Sequence, residues 1–472
     1  MEIDPFKEER EELKELLKTY ANLKNGRGGG FLEEEGFERI IEYYDERMEN
    51  LLALEAAELA TTQYRFSSHL LNLKSGILIS LRRYEEALSV LEQSAIMDPN
   101  DVELYILRTD AFLALDRQEE AAFLLEEAVE RFGGEERIEL LFELSDVYDD
   151  YENFEKVFDC LKLILEQDGN NEEALYKICF WTDYTGRNEE SIKLHRQIID
   201  ENPYNELAWF NLGAAYQGLN LYEKAIDAYL YAVAIDEKFD FAYRNMGDAY
   251  IRLRNFKDAI EVLEKVIELT HPESVIYEAI GHCHDKMENF AQARFHYKKA
   301  SHLSPEEAHL HYKVACSYMN EGNFSMGVKN LEQAIKINAH HPEYFLAMGR
   351  CFYGMKNHEE AVRYFGIAVS MRPKNITGWT ELLTTLYQSG LVEDALDYAH
   401  LAYIHTDKKP LFLYYISMFM LESGKPKEGL SQLENALQIN IKQLKKFIDI
   451  NPAILQNQQV VELIARYKRN KR

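Results

Sequence analysis

Cysteine is scarce. The five residues Cys160, Cys179, Cys283, Cys316 and Cys351, among 472, are odd in number and never form a C-x-x-C pair. That argues against a disulfide framework or a zinc knuckle and favours a reducing compartment. With only ten prolines there is little room for Pro-rich linkers. No apolar run reaches the roughly eighteen residues of a membrane-spanning helix. The opening Met1-Glu2-Ile3-Asp4-Pro5 is acidic where a secretory leader would be basic and then apolar. Positive charge is short as well: 53 Lys and Arg stand against 81 Asp and Glu, a net of −28. A chain of that sign lacks the clustered cations that grip a phosphate backbone or an anionic leaflet. The expectation is therefore a cytoplasmic protein whose partner is neither nucleic acid nor membrane, and a partner steered by charge should be basic.

What the chain does have is a period. Trp209-Phe210-Asn211-Leu212-Gly213-Ala214-Ala215-Tyr216 is followed by Ala225, Tyr229 and Ala232. Stepping forward by 34 from Glu206 meets Tyr243, Gly247, Tyr250 and Ala259, then Tyr277, Gly281, Ala293, Ala300 and Pro305. Later steps meet Ala315, Tyr318 and Ala334, then Phe345, Gly349, Phe352, Ala361, Phe365, Ala368 and Pro373. Trp379, Ala395, Ala402 and Ala436 continue the series. Backward steps give copies starting at Glu172 and Ile138 and, after a two-residue slip near Gly133-Gly134, at Val102, Ser68 and Glu34.

This pattern resembles the tetratricopeptide repeat, a 34-residue helical hairpin, and long bacterial arrays of it that carry no catalytic domain. The resemblance implies an all-α fold, a right-handed α-solenoid superhelix of stacked hairpins with the first helix of each, helix A, lining the concave side. Twelve units would span residues 34–443. Residues 1–33 would supply a capping helix and a glycine-rich joint, Asn25 to Gly30, and residues 444–472 capping helices and a basic tail. A hairpin cannot bury its apolar face alone, so neighbours must stack and both ends need covering. Small residues at repeat positions 8, 20 and 27 let helices approach, and proline at position 32 stops the second helix, helix B.

Few features suggest chemistry. There is no G-x-S-x-G, H-E-x-x-H or P-loop, and the repeats leave no room for a separate catalytic domain. The glycine run is followed by no Lys-Ser/Thr and reads as a joint. His282 and His284, two apart on a helix, point in different directions and cannot share a metal; His340-His341 reads as a solvated turn. No enzyme activity, cofactor or metal is expected.

In this family the ligand-facing side chains come mainly from positions 2, 5, 9, 12 and 13 of helix A. By that mapping the first copy presents Glu35, Glu38, Glu42, Asp45 and Glu46, and the third Glu103, Ile106 and Asp110. The fourth presents Glu139, Phe142, Asp146, Asp149 and Asp150, and the fifth Glu173, Tyr176, Phe180, Asp183 and Tyr184. Leu207, Phe210, Ala214 and Gln217 follow. Later copies mix Arg244, Arg252, Lys286 and Arg350 with Tyr312, Met319, Tyr353, Thr377, Thr380, Tyr387, Tyr414 and Met418. Residues 1–170 hold 42 acids and 18 bases, a net of −24, against −4 for the rest.

Two readings of this face stand side by side. Helix A exposes charge for solubility alone, or the face is a graded groove that takes an extended basic and apolar polypeptide through Glu38, Glu42, Asp45, Asp110, Glu139, Phe142, Asp146, Asp149, Tyr176, Phe180, Asp183, Tyr184 and Phe210. On the second reading the protein is a non-enzymatic interaction scaffold. A chaperone-like holder of unfolded or secreted clients is the alternative, and a regulatory subunit acting on an enzyme in trans uses the same kind of surface. RNA binding fits least, because the acidic face repels a phosphate backbone. The carboxylate clamp of co-chaperones in this family is not supported: Asn211 and Asn245 take its middle position, but Tyr176 and Phe180, or Phe210 and Ala214, stand where its cations belong.

Overall fold

The computed structural model describes residues 5–25 and 31–469. Residues 26–30 of the expected joint Asn25 to Gly30, and the tail residues 470–472, lie outside them. Contacts divide the chain into two compact units, residues 1–242 and 243–472. All regular structure among the described residues is helical. The division sharpens the charge pattern: the first unit has 55 acids and 24 bases, a net of −31, and the second 26 acids and 29 bases, a net of +3.

Helices start where the sequence offers caps. Ser67, Asp101, Asn171, Asn205 and Asn375 precede helices Ser68–Ser80, Val102–Ala114, Glu172–Thr185, Glu206–Gly218 and Ile376–Gln388, and each side chain accepts a first-turn N–H. These are A helices. Their starts, from Glu34 to Pro410, coincide with the 34-residue frame in every copy but one. In the fourth the frame points to Ile138, whereas the helix runs Gly134–Asp150. The slip near Gly133-Gly134 is taken up by this longer helix, which opens on a left-handed Gly134 (φ 62°).

The turns between helices A and B share one backbone shape. Met48, Arg82, Asp116, Glu152, Gly186, Asn220, Arg254, Glu288, Gly322, Lys356, Gly390 and Gly424 all have positive φ. Each ends helix A in a left-handed cap. Leu221 N–H, for example, reaches back to the Tyr216 carbonyl at 2.9 Å and Asn323 N–H to Tyr318 at 2.9 Å. Helix B stops two residues before Pro99, Pro203, Pro305 and Pro373, where the next ring could not continue a helical ladder.

Within a hairpin the close approach is made at position 8. Gly213, Gly247, Gly281 and Gly349 face Tyr229, Leu263, Tyr297 and Phe365 at position 24, and a Cβ on any of them would fall 2.5–2.7 Å from those side chains. Consecutive helices pack on one another, and neighbouring A helices also touch, as do 172–185 and 206–218, or 308–320 and 342–354. In the first unit the A helices 34–45, 68–80, 102–114 and 134–150 touch in series. At the N-terminus, helix Pro5–Lys24 lays Leu16, Leu17 and the buried Tyr20 against this packing.

Polar contacts tie hairpins together inside the first unit. Buried His195 donates from Nδ1 to the Ser191 carbonyl at 2.8 Å and accepts at Nε2 from Asn211 Nδ2 at 3.2 Å. Asn211 also donates to the Leu175 carbonyl at 2.7 Å, so this asparagine is a structural bridge between neighbouring A helices. Burial holds the His195 imidazole down at about 4. The unfolded chain therefore binds more protons between about 4 and its ordinary value near 6.5. Stability from this group is complete above 6.5 and is lost as pH falls toward 4. By pH 5 the loss is about 2 kcal/mol. Urea unfolding of the first-unit transition at pH 7.5 and 5.0 should show it, and His195→Gln should remove that part of the slope.

Some residues expected on the face are buried: Leu207 in the first unit, and two more in the second. Tyr414 and Met418, expected to line it, are wholly buried. Helix Leu444–Ile450 lies on helix Pro410–Glu422, with Phe447 5.9 Å from the Tyr414 ring, and Asn451 donates to Tyr387 Oη at 2.9 Å and Glu422 at 2.7 Å. The C-terminal segment covers the helix A face of the last repeat as well as its end. His284 stacks on His296 at 5.4 Å, which makes it a packing residue.

Candidate protein-binding site

In the first unit the expected residues fall into separate groups. Glu38 pairs with His69 at 2.9 Å, and Glu42 and Asp45 are exposed beside it on helix Glu34–Asp45. Burial, then Glu38 and Glu46, raise the Glu42 carboxyl. Helix Ser68–Ser80 contributes no acid, so this group is set apart from the next.

The second group spans three A helices, Val102–Ala114, Gly134–Asp150 and Glu172–Thr185. Its centre is Glu143, a residue outside the family positions. Burial, followed by Asp110, Asp146 and Glu139, pushes its carboxyl up to about 7. Asp110 is open to water, yet enough protein surrounds it for burial to raise its carboxyl too. Lys177 reaches into the group. Its Nζ lies 3.6 Å from Asp146, 2.8 Å from Glu173 and 5.1 Å from the Phe142 ring. Asp149 is exposed on the same helix.

The third group is aromatic. Tyr176, Phe180 and Tyr184 are each about 60% exposed, a large apolar area to leave in water on one helix. Phe180 and Tyr184 stack at 6.1 Å, and both meet Trp181, at 4.9 and 5.8 Å. Phe154, the first residue of helix Phe154–Gln167, lies 5.1 Å from Trp181 and 4.8 Å from Tyr184. Phe154, Phe180, Trp181 and Tyr184 thus brace one another. Asp183 is exposed on the same helix. Phe210 does not join them: it is half-buried, 5.8 Å from Tyr229 and 5.1 Å from Phe239.

Glu143, Lys177, Trp181 and Phe154 were missed by the repeat positions. Helical periodicity alone would have found Glu143, because Glu139, Glu143, Asp146 and Asp150 follow i, i+4, i+7 and i+11 on one stripe.

The acid group has a testable proton balance. A cation seated beside Glu143 favours its ionised form, so binding releases a proton wherever Glu143 is still protonated. Affinity for a basic ligand should rise from pH 6 to pH 8, through the value near 7. Calorimetry in buffers of different ionisation enthalpy reads the released proton, and Glu143→Gln should flatten the dependence.

Comparison with known proteins places these repeats. Residues 77–136 and 183–238 match the family model described as tetratricopeptide repeat. Residues 223–344 match that of the tetratricopeptide repeat protein 21 C-terminal ARM domain. No curated protein matches. Among solved structures, the C-terminal part of a TPR repeat-containing protein from Cytophaga hutchinsonii is 16% identical, covers 54% of this chain and 99% of its own, and has a TM-score of 0.44. A tetratricopeptide repeat protein from Parabacteroides merdae is 17% identical, covering 53% of this chain and 98% of its own, with a TM-score of 0.37. YrrB, described as a TPR protein with an unusual peptide-binding site, is 19% identical, covering 39% and 95%, with a TM-score of 0.36.

Proposed function

Because the chain is a tetratricopeptide repeat protein, we propose that it is a non-enzymatic, cytoplasmic interaction scaffold. Its first unit takes an extended basic segment carrying aromatic or apolar side chains. We further divide it into an N-terminal cap over residues 1–33, twelve hairpins over 34–443 and a C-terminal cap over 444–472. The observation that carries the reading is one of adjacency: the acid group around Glu143 and the open rings of Tyr176, Phe180 and Tyr184 stand on A helices joined by Lys177, which reaches Asp146 and the Phe142 ring, in a unit of net charge −31. The carboxylates steer a basic partner and set its register. The rings supply the apolar area that dominates affinity.

The braced ring cluster favours a specific scaffold over a holder of many clients, since broad binding uses surfaces that can repack. No helix among the described residues is long and apolar enough to cross a membrane. A photo-crosslinking side chain at Tyr176 should capture a discrete basic partner from a cell extract, while the same group at Glu130, on helix B, should not. Equal capture at both positions would mean that the helix A charge serves solubility alone, and capture of unrelated unfolded clients would favour the holder.

A further inference from the structure

The first unit has a cavity of about 410 Å³ that none of the ligand-facing positions of helix A lines. It lies between helices Asn188–Glu201, Glu206–Gly218 and Tyr222–Ile235, the B helices of two neighbouring hairpins and the A helix between them. Its size falls in the range of small-molecule sites, and the buried Ile199 and Leu212 give it an apolar lining.

Charge in this cavity is ordered. On helix Asn188–Glu201, Arg196 is followed one turn later by Asp200, and on helix Tyr222–Ile235, Lys224 is followed by Asp227. Side chains at such spacings stand roughly 5–6 Å apart on one helix face. The two cations share an end. Arg196 donates from Nη2 to Tyr216 Oη at 2.5 Å, and its Cζ lies 5.8 Å from the Tyr216 ring. Lys224 Nζ lies 5.7 Å from the same ring. None of the four charged groups makes an ion pair among the described residues, although each cation has an acid one turn away. All four are open to water. The cavity therefore offers two cations at its Tyr216 end and two carboxylates one turn further along.

The aromatic wall belongs to the acidic end. Tyr231 stands one turn beyond Asp227, and Trp209 stacks on it with ring centres 4.3 Å apart. Trp209 Nε1 is spent on the Pro203 carbonyl at 2.9 Å, so the indole offers a π face and no donor. A π face beside carboxylates suits an alkylated ammonium, which is attracted by both.

We propose that this cavity binds a small zwitterion whose methylated ammonium and carboxylate are separated by about one helical turn, roughly 5 Å. The carboxylate lies between Arg196 and Lys224, and the ammonium lies against the rings of Trp209 and Tyr231 beside Asp200 and Asp227. A simple cation or a simple anion meets only half of these groups. The site stands whether or not the helix A face takes a peptide.

The test is isothermal titration calorimetry of the full chain with γ-trimethylammoniobutyrate. Binding should saturate at one site and be about tenfold tighter than that of choline, which lacks the carboxylate, or of butyrate, which lacks the ammonium. Lys224→Gln should weaken the zwitterion about fivefold and leave choline unchanged, while Asp227→Asn should weaken the zwitterion and choline without weakening butyrate. Tyr231→Ala should cost the trimethylated ligand about threefold and leave γ-aminobutyrate unchanged. All three positions are exposed, and circular dichroism confirms the fold of each variant. No saturable binding of γ-trimethylammoniobutyrate overturns the proposal. So does an affinity equal to that of choline, or one that neither Lys224→Gln nor Asp227→Asn changes.

Discussion

Changing Glu139 and Asp146 to lysine together should weaken binding of the peptide Lys-Tyr-Lys-Phe-Lys-Tyr-Lys by ten- to a hundredfold, mostly through slower association. Both carboxylates sit on helix Gly134–Asp150 and both act on Glu143. An exposed ion pair is worth at most about 1 kcal/mol. Two reversals replace attraction by repulsion at two points, so a total near 2 kcal/mol is expected, and each 1.4 kcal/mol is a factor of ten. The effect should shrink as salt rises from 50 to 200 mM, because these groups are open to solvent and screened. Asp146 also contacts Lys177 at 3.6 Å, so its reversal places two cations together and adds to the loss. Stopped-flow association rates, read beside circular dichroism to confirm the fold, check the prediction.

The second large effect concerns packing. Gly349→Ala should destabilise the second unit by about 1–3 kcal/mol, although alanine is intrinsically the better helix former. A Cβ there would lie 2.5 Å from Cδ1 and Cε1 of Phe365, a ring that is 1% exposed and has nowhere to go. Gly366, on helix His358–Met371, is the control. Nothing lies within 4 Å of a Cβ there, so Gly366→Ala should stabilise by about 0.5–1 kcal/mol through helix propensity alone. Opposite signs for the same substitution on two helices of one hairpin, read by thermal melting, test the close approach at position 8. Two changes of equal sign would refute it.

That close approach explains why so much of the fold was legible. Gly213, Gly349 and the alanines at positions 20 and 27 recur because helix separation depends on them, and Asn171, Asn205 and Asn375 recur because the next helix needs a cap. The turns were less legible. All twelve place a residue in the left-handed region, yet only Gly186, Gly322, Gly390 and Gly424 announce it by type. The other eight are held by the cap that ends helix A, which a local pattern does not reveal. The longer helix Gly134–Asp150 was hidden for a related reason, since a slip in a period does not say which helix absorbs it.

The candidate surface was legible in composition and less so in detail. Acids on helix A and the rings of Tyr176, Phe180 and Tyr184 follow from the frame. The standing of Glu143 does not, because it depends on three neighbours brought by two A helices. Nor does the half-burial of Phe210, which comes from Tyr229 and Phe239. The covering of Tyr414 and Met418 required knowing that residues beyond the repeats fold back onto the face they would otherwise leave open.

The central claim is that acid and open aromatic rings act together as one docking surface. Its most direct test is equilibrium anisotropy of the labelled peptide Lys-Tyr-Lys-Phe-Lys-Tyr-Lys with the parent chain and with Tyr176→Ala/Phe180→Ala/Tyr184→Ala. These three side chains are about 60% exposed, so their removal should leave the fold intact. The account predicts saturable binding by the parent and at least a tenfold loss in the triple variant at unchanged net charge. Equal affinity of the two proteins, or no saturable binding by either, would contradict it.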